Sequence, residues 1–149
     1  MTNDEQQLVR HVLATIAYRG GNVLRDLPPD VAVRRPTPQV RTPHALLAHC
    51  NDVLGFLARE LGADVAALES PGSWDREVER FRHLLRELDD RLAVEPCSHD
   101  TLCRTVQGPL ADVLTHLGQI GIFRRMAGSP VAAENYFAAA VETGRVDYV

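Results

Sequence analysis

No lysine occurs among the 149 residues; all sixteen basic side chains are arginine. A Schiff-base lysine and the phosphate-binding lysine of a P-loop are thereby excluded. Aromatic residues are also scarce, at 5%, so leucine, valine and alanine must fill the core. That favours helix packed on helix over an aromatic-rich sheet. No run of about 18 apolar residues is present to span a bilayer. The N-terminal stretch MTNDEQQLVRH lacks the basic-then-apolar layout of an export signal, so a cytoplasmic location with no membrane partner is expected. Cysteine is limited to Cys50, Cys97 and Cys103, without CxxC spacing, and a reducing compartment keeps such residues as thiols. The net charge is −4 and the arginines are scattered. No basic stripe follows a phosphate backbone, and a nucleic-acid partner is not expected.

What the chain does contain is 45% hydrophobic and 24% charged residues, the balance of a globular protein. Its length suits a single domain over residues 1–149 with a substantial core. Four segments have helical periodicity. The first runs from about Asp4 to Leu27, with Leu8, His11, Val12, Thr15, Ile16 and Arg19 on one face and Leu13 and Ala17 beside it. Gly20 and Gly21 are expected to weaken or kink it. The connection from Pro28 to Pro43 holds five prolines and reads as extended or irregular. The second helix opens on Thr42 as N-cap and Pro43 at the first helical position. It carries the stripe Leu46, His49, Cys50, Val53, Leu54, Leu57 and Leu61, and stops at Gly62. At Cys50 a small core residue is the simplest reading.

The third helix starts behind Ser73 and turns Trp74, Val78, Phe81, Leu84, Leu85, Leu88 and Leu92 inward, with a charged, solvated outer face. In AVEPCSHDTLCRTVQG the periodicity fails, and TLCRTV suggests a short extended piece. The fourth helix is expected from Pro109 to about Ala127, ending at Gly128. A short C-terminal helix is expected in AAENYFAAAVETG. The fold class that results is all-α: a four-helix bundle with one long crossover connection and a short C-terminal helix.

One polar pair stands out on the fourth helix. Asp112 and His116 are four residues apart, so they lie one turn above the other and can converge on one ion. His49, inside the apolar stripe of the second helix, is the best candidate for a third ligand. Three protein ligands plus an open position is the arrangement of catalytic zinc. A carboxylate on a buried face also loses hydration unless it is paired or coordinated. Two simpler readings stay open. Asp112, close behind Pro109, can serve only to meet the positive end of the helix dipole, and His49 can be an ordinary core histidine.

The segments TPHALLAHCNDVLGF, GPLADVLTHLGQIGIFRRMAGSPV and ENYFAAAVETGRV go further. Through them the chain resembles the DinB-like superfamily of metal-binding four-helix bundles, which includes mycothiol-dependent maleylpyruvate isomerases. The resemblance covers nearly the whole chain. It implies a metal site of one histidine from the second helix and two ligands, four residues apart, from the fourth. His49 and His116 match two of these positions. Asp112 stands where the family has a histidine or an acid, so the sequence looks like the carboxylate variant, with a shorter reach than glutamate. Gln119, in the same signature, is expected to orient His116 by a hydrogen bond. His11 is a candidate supporting residue; His83 neighbours the inner stripe of the third helix, while His44 and His99 read as surface or loop residues.

The implied cofactor is a divalent metal ion, zinc or nickel first, with iron or manganese also compatible. The implied activity is thiol-dependent transfer or isomerisation, or hydrolysis, on a small-molecule substrate, the thiol being of low molecular weight. The alternative is a non-catalytic metal-binding or stress-associated helical interaction protein. A homodimer is expected in either case, with Tyr136 and Phe137 as candidate contacts; otherwise the tail serves only to cover the site.

Overall fold

The computed structural model describes residues 3–66 and 71–149; Met1 and Thr2, at the start of the polar N-terminal stretch, lie outside the described residues. All regular structure among them is helical: α1 (Asp4–Leu24), α2 (Pro29–Ala32), α3 (Pro43–Glu60), α4 (Trp74–Val94), α5 (His99–Thr105) and α6 (Ala111–Met126). A π-helical turn, Val106–Leu110, joins the last two, and a 3-10 turn, Tyr136–Ala138, lies in the tail. Local signals start the helices as the sequence implies. The Thr42 hydroxyl accepts from the Ala45 amide and that of Ser73 from the Arg76 amide. Gly62 and Gly128 have positive φ, and each lets the chain reverse in a Schellman motif. The amides of Gly62 and Ala63 bond Arg59 and Ala58, and those of Gly128 and Ser129 bond Arg125 and Arg124.

The long helices α1, α3, α4 and α6 surround one core whose fully buried members include Leu13, Ile16, Leu47, Leu54, Phe81, Leu88, Leu117 and Ile120. Helix α3 packs against α4 and α6, and α1 against the same two. The order around the bundle is therefore α1, α4, α3, α6, with α3 and α6 side by side. The long connection joins the diagonal helices α1 and α3. It is not wholly irregular: Pro29 begins the single turn α2, and Val31 and Ala32 join Leu27 in a small satellite cluster against Trp74 and Ala127.

Four expectations are corrected. The buried face of α1 is Gln6, Val9, Leu13, Ala14, Ile16, Ala17, Gly20, Gly21 and Leu24, shifted from the face expected toward Leu13 and Ala17, and Leu8 is exposed. The glycines do not interrupt α1, which runs unbroken through them; they let neighbours approach. A Cβ on Gly20 would lie 2.8 Å from Phe81 Cε1, and one on Gly21 would lie 2.2 Å from the Tyr148 carbonyl oxygen. TLCRTV is not extended but helical, Thr101 to Thr105 in α5 and Val106 opening the π turn, so the fourth rod starts at His99 rather than Pro109. Finally, the tail forms only the 3-10 turn. It is held instead by side chains: Tyr18 meets the edges of Tyr136 and Tyr148, and the Arg19 guanidinium lies 3.8 Å from the Tyr136 ring centre.

The π turn has a covalent cause. Pro109 lacks an N–H, and its ring crowds the carbonyl one turn earlier. The rod accommodates it by widening: the Ala111 amide reaches the Val106 carbonyl, five residues back. The extra residue is legible in the burial pattern. Leu102 and Thr105 are buried, the next buried position is Leu110, and regular spacing then resumes through Val113, Leu117 and Ile120.

Candidate metal centre

The side-by-side packing of α3 and α6 brings His49 against Asp112 and His116. His49 Nε2 lies 3.1 Å from Asp112 Oδ2, and His116 Nε2 lies 3.4 Å from Asp112 Oδ1. The two imidazole rings meet edge to face, with centres 4.8 Å apart. One donor atom from each residue falls within 4.8 Å of the other two, so the cluster could hold a metal ion. The spacing suits that role. With bonds of about 2.0–2.1 Å, tetrahedral ligand atoms stand about 3.3 Å apart; each histidine nitrogen is near that distance from one Asp112 oxygen, His49 from Oδ2 and His116 from Oδ1, and a single-donor set spread over up to 4.8 Å closes slightly on binding an ion. Asp112, though shorter than a glutamate, reaches both histidines.

His116 Nδ1 is 2.7 Å from Gln119 Oε1. An amide oxygen only accepts, so Nδ1 is the donor, and Nε2 is the nitrogen left to face Asp112 and to bind a cation. Gln119 thus does for His116 what supporting partners do for metal-bound histidines, fixing tautomer and ring plane.

The structure departs from the sequence-based expectations for Asp112 in two ways. It is not at a helix start, because α5 and the π turn precede it without a break; the backbone amides around it are engaged within the rod, and a capping role has no free helix end to serve. Nor is it on a buried face. Its side chain is 43% exposed, against 34% for His49 and 16% for His116. Burial cost therefore does not argue for coordination; convergence does.

The cluster opens on a groove of about 550 Å³ lined by Arg41, Val40 and Leu46 on one side and Gln119, Ile122 and Phe123 on the other. Gln39, Val40 and Arg41 come from the end of the long connection, and nothing in their sequence marked them as a wall. Their place follows from Thr42 and Pro43, which start α3 beside α6 and so carry the preceding residues across the mouth.

The remaining histidines are elsewhere. His11 Nδ1 contacts the Thr143 hydroxyl, so it does not support the cluster. His44 bonds the Gly72 carbonyl, and His83 and His99 are exposed. Cys50, next to His49 in sequence, is fully buried in the core, and burial, followed by the Asp112 charge, pushes its thiol up to about 12; it stays protonated and does not act as a nucleophile. The tail does not cover the groove: Tyr136 and Val131 border a separate cleft with Arg19 and Arg125. No helix among the described residues is long and apolar enough to cross a membrane. Comparison with family models, with curated proteins and with solved structures returns no match to this chain.

Proposed function

We propose that His49, Asp112 and His116 hold a divalent metal ion and that the chain is a metal-dependent enzyme of the DinB-like type, acting on a small molecule in the adjoining groove. The observation that carries this reading is the convergence of two imidazole nitrogens and a carboxylate, from two helices, at the mouth of an open groove. Structural zinc sites are closed by four protein ligands, whereas sites that act on substrates keep a position free; a three-ligand set whose two histidines line a groove belongs with the second kind. Two imidazoles and a carboxylate suit zinc, nickel, iron and manganese, and the metal analysis below chooses among them. Such an ion, when bound, supplies Lewis acidity and lowers the pKa of a coordinated water or thiol.

The chain's own residues supply the rest. Asp112 offsets part of the ion's charge and, with one oxygen toward the Nε2 of each ring, holds the two nitrogens on one side. Gln119 holds His116 in its donor-ready tautomer. Val40, Leu46, Ile122 and Phe123 offer an apolar wall, and Arg41 an exposed positive charge. Thiol-dependent transfer or isomerisation, or hydrolysis, fits these parts.

The test is metal analysis of protein purified without a histidine tag and offered zinc, nickel, iron and manganese in turn. One ion per chain is expected in the wild type, with loss in His49→Ala and His116→Ala. Asp112→Asn should weaken binding while Asp100→Asn does not. Absence of stoichiometric metal in the wild type, or equal affinity in the two aspartate variants, contradicts the assignment.

A further inference from the structure

At the far end of the rod from the metal cluster, a second constellation forms that joins α5 to the first turn of α1. Glu5 Oε1 lies 3.0 Å from His99 Nδ1. The other ring nitrogen of His99, Nε2, lies 3.5 Å from Cys103 Sγ, within hydrogen-bond range for sulfur. The order is that of a nucleophile, a base and the acid that orients the base. Because the Glu5 carboxylate only accepts, Nδ1 carries the proton of the neutral ring and donates it to Glu5. Nε2 is then the bare acceptor that faces the thiol proton. Glu5 and His99 are 94 residues apart, so the arrangement exists only in the folded chain.

We propose that Cys103 is a thiol–disulfide exchange site, served by His99 as base and Glu5 as the residue that positions it, and that it takes low-molecular-weight disulfides. All three side chains are exposed, so a small disulfide reaches Sγ without any opening of the bundle. The Cys103 thiol proton passes to His99 Nε2. The thiolate attacks one sulfur of the disulfide, forming a Cys103–S–S–R bond and breaking the original S–S bond. The departing thiolate takes the proton from the imidazolium and leaves as a free thiol. Cys103 is oxidised by the reagent disulfide, one half of which is reduced to RSH, and no other reactant is required.

The two other cysteines are internal controls. Cys50 is inaccessible in the core. The Cys97 thiol is pushed up by burial and then by the charge of Glu95, and its sulfur faces the Glu95 carbonyl rather than a base. The nearest other charges to Cys103 on its own helix, Asp100 and Arg104, pair with each other at 2.8 Å. Cys103 precedes His116 by thirteen residues, about 20 Å along the rod, so this site stands or falls separately from the metal reading.

The experiment exposes the native full chain to bis(2-hydroxyethyl) disulfide, an uncharged reagent, at neutral pH and follows intact mass. Cys97 and Cys103 lie between the same two arginines, Arg91 and Arg104, and share a tryptic peptide, so single variants are needed to tell them apart. Cys97→Ser, which leaves Cys103, is expected to react about tenfold faster than Cys103→Ser, below the usual range for a positioned base because the group is in water. Adding His99→Gln or Glu5→Leu to Cys97→Ser should slow the reaction without moving the thermal melt, since both side chains are exposed. Equal rates in the two serine variants, or an unchanged rate in both added variants, overturns the proposal.

Discussion

Replacing Gln119 by leucine separates a metal-orienting residue from a structural one. The side chain lies on the exposed surface of α6 and accepts at 2.7 Å from His116 Nδ1. Without that acceptor the His116 ring is free to turn and to carry its proton on Nε2, which must be bare to bind a cation. Loss of such a supporting partner costs roughly 10–100-fold in metal affinity, or about 1.4–2.7 kcal/mol. The fold has little at stake. An exposed substitution of this kind changes stability by about 0.5 kcal/mol, or about 1–2 °C in Tm for a chain of this size. Gln119→Glu keeps an acceptor and adds charge, so its affinity should equal or exceed that of the wild type. The assay is competition for zinc against a chromophoric chelator, with calorimetric melts of the metal-free proteins alongside. Wild-type affinity in Gln119→Leu would refute the reasoning; a metal-free melt lowered by many degrees would show that Gln119 is structural.

Two further predictions concern the frame that holds the site. Arg10 makes two 2.9 Å bonds to Asp89, linking α1 to α4, and Asp89 is 3% exposed against 16% for Arg10. Arg10→Met strands a buried charge and should cost about 3–5 kcal/mol, whereas Asp89→Asn leaves an arginine that can turn to water and should cost less. Urea unfolding of the two variants tests the asymmetry, and the reverse order refutes it. Gly20→Ala should destabilise by about 1–3 kcal/mol through overpacking against Phe81, although alanine is the better helix former. Gly118→Ala, where an added Cβ meets nothing within 4 Å, should stabilise by up to about 1 kcal/mol. Thermal melts that shift in the same direction for both would remove the packing argument.

The candidate cluster was legible because its parts obey short-range rules. The interval from Asp112 to His116 is one helical turn whatever the fold, and the stripe containing His49 is visible in periodicity alone. The π turn was not legible, because a five-residue gap between Thr105 and Leu110 looks like the end of a helix when apolar spacing is the only guide. The inward face of α1 was misplaced for a related reason. It is built partly from Gln6, Gly20 and Gly21, which carry no apolar signal. Gln6 is buried because its amide bonds the Leu92 and Glu95 carbonyls and the Cys97 amide at the end of α4. The C-terminal alanines promised a helix. Contacts of Tyr136, Val146 and Tyr148 with the bundle took precedence over that weak preference.

By itself the sequence determined the helical class, the N-caps at Thr42 and Ser73, the stops at Gly62 and Gly128, and the Asp112–His116 interval. Each depends on backbone groups or side chains within one turn of one another. Tertiary structure alone decided that α6 lies beside α3, that Arg41 stands at the mouth of the groove, and that Glu5 reaches His99. These pairings join residues far apart in the chain. They follow from how whole helix faces pack together, and no local pattern encodes which face meets which.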